Sequence, residues 1–125
     1  MWVKALFVAV LILMAGLALS QSTGATEDFR EIEAPQPPIY HKEGLIAINM
    51  PSSISLKFGL DPTTVSIGSD GVVRYVMVAF NPLGSVNALY EGLRCATGEV
   101  KTYARSSELG HWNVVQQAKW RTIDG

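Results

Sequence analysis

The fold is decided by the stretch from Val72 to Cys95, which reads VVRYVMVAF (72–80), NPLG (81–84) and SVNALYEGLRC (85–95). The two outer parts are rich in β-branched and aromatic residues, and the four residues between them have turn composition. This pattern predicts a central antiparallel hairpin with strands 72–80 and 85–95. Apolar residues alternate onto both faces, which is typical of a hairpin covered on two sides.

The hairpin also predicts a polar pair. If Phe80 pairs with Ser85, then Arg74 lies opposite Glu91 and the two form a cross-strand ion pair. We take this pair as the leading candidate for a functional polar site, with a purely structural ion pair as the alternative. A register slip of one residue would break it.

The sequence on either side of the hairpin favours further strands. Residues 54–60 alternate with period two. Residues 112–123 fit either a strand pair or a short helix around 115–120. Shorter strand-like runs occupy 45–48, 65–67 and 99–105, and turns are expected at 61–64 and 68–71. We therefore predict a mainly β protein, a small antiparallel sheet or sandwich-like domain, with an α+β variant if the C-terminal helix forms.

The first twenty residues have the three zones of a secretory signal. Lys4 precedes an apolar run over 5–19, and Ala18-Leu19-Ser20 offers small residues for cleavage after Ser20, with Ala25 as second choice. The run is short for a membrane span, which favours cleavage. An uncleaved inner-membrane anchor is the alternative. The lone cysteine lies far from this run, which argues against a lipoprotein. A periplasmic or secreted protein is expected.

Residues 21–38 are acidic and contain Pro35, Pro37 and Pro38. This composition favours a solvated, extended linker, or else a segment that orders against a partner. Residues 39–125 are then expected to form a single domain.

Composition excludes several functions. Ten Lys and Arg against eleven Asp and Glu, without a basic block, argue against nucleic acid as a partner. There is no nucleophile elbow and no phosphate-binding glycine loop. His41, His111 and Cys95 lack the spacing of a zinc site. We predict no enzyme activity, no cofactor and no metal.

Besides Arg74 and Glu91, three residues are candidates for interaction or structure. Cys95 is read as a buried small side chain, one half of a disulfide or a link to another protein. Trp112 and Trp120, together with Tyr103 and Tyr40, would form either an aromatic shelf for glycan or peptide, or core packing.

The motifs Asp70-Gly-Val-Val-Arg-Tyr75 and Tyr90-Glu-Gly-Leu-Arg-Cys95 carry a resemblance. Over residues 38–125 the sequence resembles the cryptic neisserial protein-like family of small exported bacterial envelope proteins. The resemblance implies export and one domain, and brings no biochemical activity. Some relatives carry a lipidated cysteine that is missing here. The resemblance further implies a helical segment with a second cysteine after residues 120–123. Compared with such relatives, this protein would be truncated at its C-terminus, and Cys95 would lack a disulfide partner.

These observations lead to two functional hypotheses. The first is a non-catalytic protein-interaction module of the cell envelope, which contacts another envelope protein through an edge strand or the aromatic C-terminal region. The alternative is a small-ligand-binding domain with a pocket between the sheet and the C-terminal segment, near Arg74, Glu91 and Trp112.

Overall fold

A computed structural model describes residues 28–108 and 110–123. The described residues contain strands and no helix. The strands are β1 (Ile46–Ile48), β2 (Lys57–Ile67), β3 (Val73–Phe80), β4 (Val86–Arg94), β5 (Glu99–Glu108), β6 (His111–Val114) and β7 (Arg121–Thr122). The prediction of a mainly antiparallel β fold is confirmed. The expected signal helix and linker start lie outside the described residues.

The strands form one antiparallel sheet in which β1 to β6 are neighbours in sequence order. β5 pairs with β6 along one half and with β7 along the other. Short turns join the central strands, so each pairs with the strand that precedes it in sequence. Residues 115–120 are not helical, and Gln117 has a φ of 53° in the turn between β6 and β7. Of the two C-terminal alternatives, the helix is therefore wrong.

The central hairpin forms, but its register differs from the predicted one. Phe80 pairs with Val86, which leaves a loop over residues 81–85. In that loop, Asn81 Oδ1 accepts hydrogen bonds from the backbone N–H groups of Leu83 and Ser85, both at 2.9 Å. The side chain of Asn81 stabilises the longer loop, and this moves the register by one residue.

The shifted register removes the expected ion pair. Arg74 pairs across the strands with Gly92, and Glu91 pairs with Tyr75. Because side chains alternate between faces, Arg74 and Glu91 lie on opposite faces of the sheet. The predicted cross-strand pair is therefore wrong.

The turn expected at 61–64 is instead a bulge inside β2. Asp61 pairs with Val76 and Ser66 with Arg74, so the residues between them loop out of the ladder. Asp61 organises the bulge, because its Oδ1 accepts hydrogen bonds from the backbone and hydroxyl of Thr63, at 3.0 and 2.7 Å. The Thr64 hydroxyl in turn accepts the N–H of Val76 at 2.9 Å and replaces the missing ladder bond.

The hydrophobic core lies on one face of the sheet, which we call the covered face. Its buried members come from the central strands and from the residues before β1, and they are Tyr40, Val76, Val78, Ala88, Tyr90 and Ala104. Trp112 packs against them edge-on, with its ring centroid 5.5 Å from that of Tyr40. On the opposite face Tyr75, Met77 and Leu89 are half-buried.

The N-terminal segment, residues 28–38, lies across the covered face. Phe29 and Glu31 contact side chains of the sheet, and the N–H of Ile32 donates to Asp70 Oδ2 at 3.1 Å. The sequence predicts a solvated linker or a segment that orders against a partner; in the structure, residues 29–32 of this segment contact the sheet. Composition alone did not reveal these contacts, because one partly buried carboxylate, that of Glu31, makes most of the polar contacts. None of the described residues belongs to a helix that could cross a membrane.

Candidate functional site

The densest polar contacts of the covered face surround Glu31. Lys101 Nζ and Trp120 Nε1 donate to its Oε1 at 2.8 and 3.2 Å, and the Tyr103 hydroxyl donates to Oε2 at 2.7 Å. Arg74 Nη2 lies 3.7 Å from the same Oε2. We call these five residues the Glu31 cluster. Three donated hydrogen bonds and a nearby guanidinium make this a well-satisfied carboxylate.

The surroundings of Glu31 keep it ionised. Burial by itself would raise the pKa of this carboxyl, but the hydrogen bonds from Lys101, Tyr103 and Trp120 outweigh it, so the pKa lies below its ordinary value. Burial and the hydrogen bond to Glu31 raise the pKa of Tyr103, which keeps the phenol protonated as a donor.

Arg74 is the most buried member of the cluster, with 1% of its side chain exposed. Its guanidinium donates to both oxygens of Asp70, Nη2 to Oδ2 at 2.8 Å and Nη1 to Oδ1 at 3.3 Å. It also lies 5.5 Å from the ring centroid of Tyr103. Its Nε has no hydrogen-bond partner among the described residues. Arg74 was predicted as a site residue, but its partners were not.

Asp70 connects the turn before β3 to the N-terminal segment. It accepts the N–H of Val72 at 3.1 Å through Oδ1 and the N–H of Ile32 at 3.1 Å through Oδ2. The hydrogen bonds from Arg74 lead, despite burial, to a pKa of about 2 for Asp70. This carboxylate therefore holds the buried guanidinium and the backbone of the N-terminal segment at the same time.

An aromatic contact lies beside the Glu31 cluster. The Arg94 guanidinium stacks 3.6 Å from the ring centroid of Phe29, and the ring of Trp120 meets Phe29 edge-on at 5.9 Å. Arg94 is fixed from the other side by Glu99, at 3.1 Å. Cation–π contacts of this kind add about 0.5–2 kcal/mol, depending on desolvation. Phe29 and Glu31 are thus held by adjacent sets of side chains.

Gly92 provides the room for this arrangement. A Cβ at this position would lie 2.6 Å from the Tyr103 hydroxyl and 2.9 Å from Val72 Cγ1. The absence of a side chain lets Tyr103 lie over β4 and reach Glu31. A glycine inside a strand is the sequence signal of such a close approach, and it was the available clue to Tyr103.

The other predicted site residues lie apart from this cluster. Glu91, on the opposite face, accepts the hydroxyl of Thr102 at 3.1 Å and lies 3.8 Å from Arg121. Burial and the charge of Glu91 raise the pKa of Tyr75. Cys95 is an exposed free thiol in the turn after β4, so the expectation that it is buried is wrong.

The two tryptophans occupy different environments. Trp112 belongs to the apolar core with Tyr40 and Tyr90, whereas Trp120 belongs to the Glu31 cluster. Sequence reasoning named Arg74, Trp120 and Tyr103 but missed Glu31 and Lys101. Their contacts join residues about 70 positions apart, and no local pattern reveals them.

A cavity of about 330 Å³ lies between the N-terminal segment and the C-terminal segment, residues 115–123. Residues 33–37 form one wall, Val115 and Ala118 lie on the other, and Tyr90 and Tyr103 line it from the sheet. The predicted pocket was placed near Arg74, Glu91 and Trp112, and none of these lines this cavity. The cavity is bounded by the sheet and by both terminal segments, and a ligand pocket near Arg74, Glu91 and Trp112 stays a prediction.

A second polar group surrounds His41. Asp61 Oδ2 and the Thr63 hydroxyl lie 3.2 and 3.3 Å from the same ring nitrogen, Nδ1. A proton relay needs the two ring nitrogens to face different partners, so this group lacks the arrangement of a catalytic triad. Among residues 28–108 and 110–123, no three His, Cys, Asp or Glu residues come together as metal ligands.

Comparison with known proteins gives one match. Residues 24–125 match the CNP1-like family, which is the cryptic neisserial protein-like family that the two hairpin motifs resemble. No curated protein and no solved structure matches the sequence. The match includes the N-terminal segment, the whole sheet and the Glu31 cluster. The protein therefore belongs to the CNP1-like family.

Proposed function

We propose that this protein is exported to the bacterial cell envelope and acts there as a non-catalytic interaction module, which receives an extended segment of another envelope protein at the edge of β1. The signal-like sequence of residues 1–20 supports export. The apolar edge of the sheet supports the mode of interaction.

The observation that carries the interaction is the apolar character of this edge. β1 is the terminal strand of the described sheet, so its outer backbone groups have no strand partner among the described residues. Ile46 in β1 is 53% exposed, and the loop that follows β1 exposes Met50, Ile54 and Leu56. Exposed apolar side chains next to unpaired backbone groups are the features used in binding by strand addition.

Site-specific photo-cross-linking in the native bacterium tests this proposal. A photoreactive residue at position 46 is expected to capture a defined envelope protein. The control position is Leu83, which is 93% exposed in the loop between β3 and β4, two strands from β1 in the sheet order. Equal capture from both positions, or none from position 46, would contradict binding at this edge.

A pair of charge substitutions sharpens the test. Ile46→Lys adds a charge of the kind that protects edge strands, so we expect it to abolish capture by a neighbouring reporter position. Leu83→Lys introduces the same charge elsewhere and is expected to leave capture unchanged. Both side chains are exposed, so thermal unfolding should change little in either variant.

Export has its own measurement. The intact mass of the protein from the soluble periplasmic fraction is expected to lack residues 1–20. A full-length mass in the membrane fraction would instead support the anchored alternative.

Small-ligand binding is a second candidate, favoured by the cavity of about 330 Å³. This volume falls at the lower end of ordinary ligand sites. A thermal-shift screen should find a stabilising compound, and Ala118→Leu, which fills the cavity, should remove the stabilisation. A compound that stabilises both proteins equally would argue against this cavity.

A further inference from the structure

The contacts of Glu31 have the composition of a receptor site for a carboxylate. The four side chains around the Glu31 carboxylate belong to the sheet or the C-terminal segment: Arg74 to β3, Lys101 and Tyr103 to β5, and Trp120 to the residues before β7. The site is therefore built by parts of the protein other than the segment that fills it.

Arg74 gives this site its charge. Its guanidinium is buried and is held in place by Asp70, and its Nε has no hydrogen-bond partner among the described residues. With the N-terminal segment displaced, the carboxylates left beside Arg74, Lys101 and Arg94 among the described residues would be those of Asp70 and Glu99. Asp70 pairs with Arg74 and Glu99 pairs with Arg94, so one positive charge, that of the partly buried Lys101, would be left without a partner. This unpaired cation beside the buried Arg74 favours an anionic occupant.

A second part of the site binds the ring of Phe29. In an extended backbone, residues two apart project to the same side, and Phe29 and Glu31 have this spacing. Arg94 and Trp120 hold the aromatic ring, the donors around Glu31 hold the carboxylate, and Asp70 accepts the next backbone N–H, that of Ile32. Together these contacts recognise an aromatic residue, a spacer and an acidic residue in extended backbone.

We propose that this part of the covered face is a peptide-binding site for an extended acidic segment of a partner protein with that pattern, and that residues 29–32 occupy it in cis. The occupant in cis acts as an autoinhibitory segment, which the partner displaces. This site is separate from the β1 edge, and its test does not depend on binding there.

The ionisation of the two carboxylates favours displacement of the N-terminal segment by a competing peptide over release by a change of pH. The pKa of Glu31 is lowered and that of Asp70 is about 2, so both carboxylates stay ionised over the physiological range. A change of pH within that range does not loosen the segment. A covalently attached segment acts at an effective concentration of about millimolar, so a free peptide must compete at that level.

Peptide binding to a variant with a weakened cis segment tests the proposal. The double substitution Phe29→Ser with Glu31→Gln, made in the full-length protein, opens the site. Fluorescence anisotropy with a labelled peptide of residues 28–38 should show at least tenfold tighter binding to this variant than to the unchanged protein. The same peptide with Glu31→Gln should bind at least tenfold more weakly.

Matched controls separate recognition from general charge attraction. A peptide with Glu33→Gln changes an exposed acid two positions away and should bind like the unmodified peptide. In the opened protein, Lys101→Met should weaken binding at least tenfold, whereas Lys119→Met at an exposed position should not. Binding that is indifferent to the Glu31 carboxylate, or absent from a folded opened variant, would overturn the proposal.

A second measurement uses the unchanged protein, in case the opened variant does not fold. Arg30 is exposed within the N-terminal segment, so trypsin cleavage after it reports displacement. A millimolar peptide of residues 28–38 carrying Arg30→Ala, which trypsin spares, should accelerate this cleavage severalfold. The same peptide with Glu31→Gln added should not. Equal effects of the two peptides, or no acceleration by either, would overturn the proposal.

Discussion

The two ends of the covered face are held by different forces. At one end Val76, Val78 and Tyr90 pack against Tyr40 and Trp112, and apolar burial suffices. The other end begins two residues before Val76 in β3. There the buried charge of Arg74 requires the carboxylates of Asp70 and Glu31 as partners.

The difference between the ends has a physical cause. Apolar burial is non-directional, so the first end needs mainly a matching volume. A buried charge is costly unless it is paired and hydrogen-bonded, so the second end needs particular groups at particular distances. We therefore expect the charged end to be the more fragile of the two.

The largest effect is expected from Asp70→Ala. This change leaves Arg74 buried with only the more distant Glu31, and removing one partner of a buried pair costs about 3–5 kcal/mol. At the apolar end, Val78→Ala removes two methyl groups and should cost roughly 2 kcal/mol. Denaturant unfolding measures both, with the exposed Glu43→Ala as a control. A larger loss for Val78→Ala would reverse the comparison.

Acid should remove part of the same stabilisation. Because the folded-state pKa values of Asp70 and Glu31 are lowered, their contribution is present above the unfolded values and is lost as the pH falls. The free energy of unfolding should therefore decline below about pH 4.5 and continue to fall towards about pH 2.

Variants at the two ends should differ in how their free energy of unfolding depends on pH. Val78→Ala should lower stability by the same amount at every pH, whereas Asp70→Asn should flatten the acid-dependent decline. Asp61, whose pKa is lowered by hydrogen bonds from Thr63 and His41 despite burial, leaves a residual slope. Equal slopes in the Asp70→Asn variant and the unchanged protein would contradict this role of Asp70.

A smaller loss is expected from Gly92→Ala. The added methyl meets Tyr103 and Val72, and overpacking of this kind costs about 1–3 kcal/mol. Tyr103→Leu in the same protein should relieve most of the clash, so the double-mutant cycle should show coupling. Additive losses would mean that Gly92 and Tyr103 do not interact in the way the structure describes.

The smallest effect is expected from Cys95→Ser. The thiol is exposed in the turn that follows β4, so stability should change by less than about 0.5 kcal/mol. In the folded protein, iodoacetamide should label Cys95 at about the rate of free cysteine. Protection from labelling would indicate that Cys95 is covered by another protein.

The sequence predicts local elements well in this protein. Period-two alternation and turn residues located the central hairpin, β1 and β5, because both signals depend on residues that are close together in the sequence. The bulge at Asp61 shows the limit of such local signals. An Asp-Pro pair is compatible with a turn and with a bulge, so the sequence does not distinguish the two.

The candidate site was predicted only in part, because its residues meet through distant contacts. Arg74 was identified through an expected ion pair with Glu91, and Trp120 as part of an aromatic shelf or of the core. Glu31 was assigned to a linker, since composition does not distinguish a solvated acid from one bound by a distant Lys101 and Tyr103.

By itself, then, the sequence determined the antiparallel β class, the central hairpin and the family, all of which follow from short-range pattern. The tertiary structure alone decided the register of that hairpin and therefore the partners of Arg74. The physical reason is that a one-residue slip moves a side chain to the other face of a sheet. The pairing of a buried charge depends on that slip and on a segment about 40 residues away in the sequence.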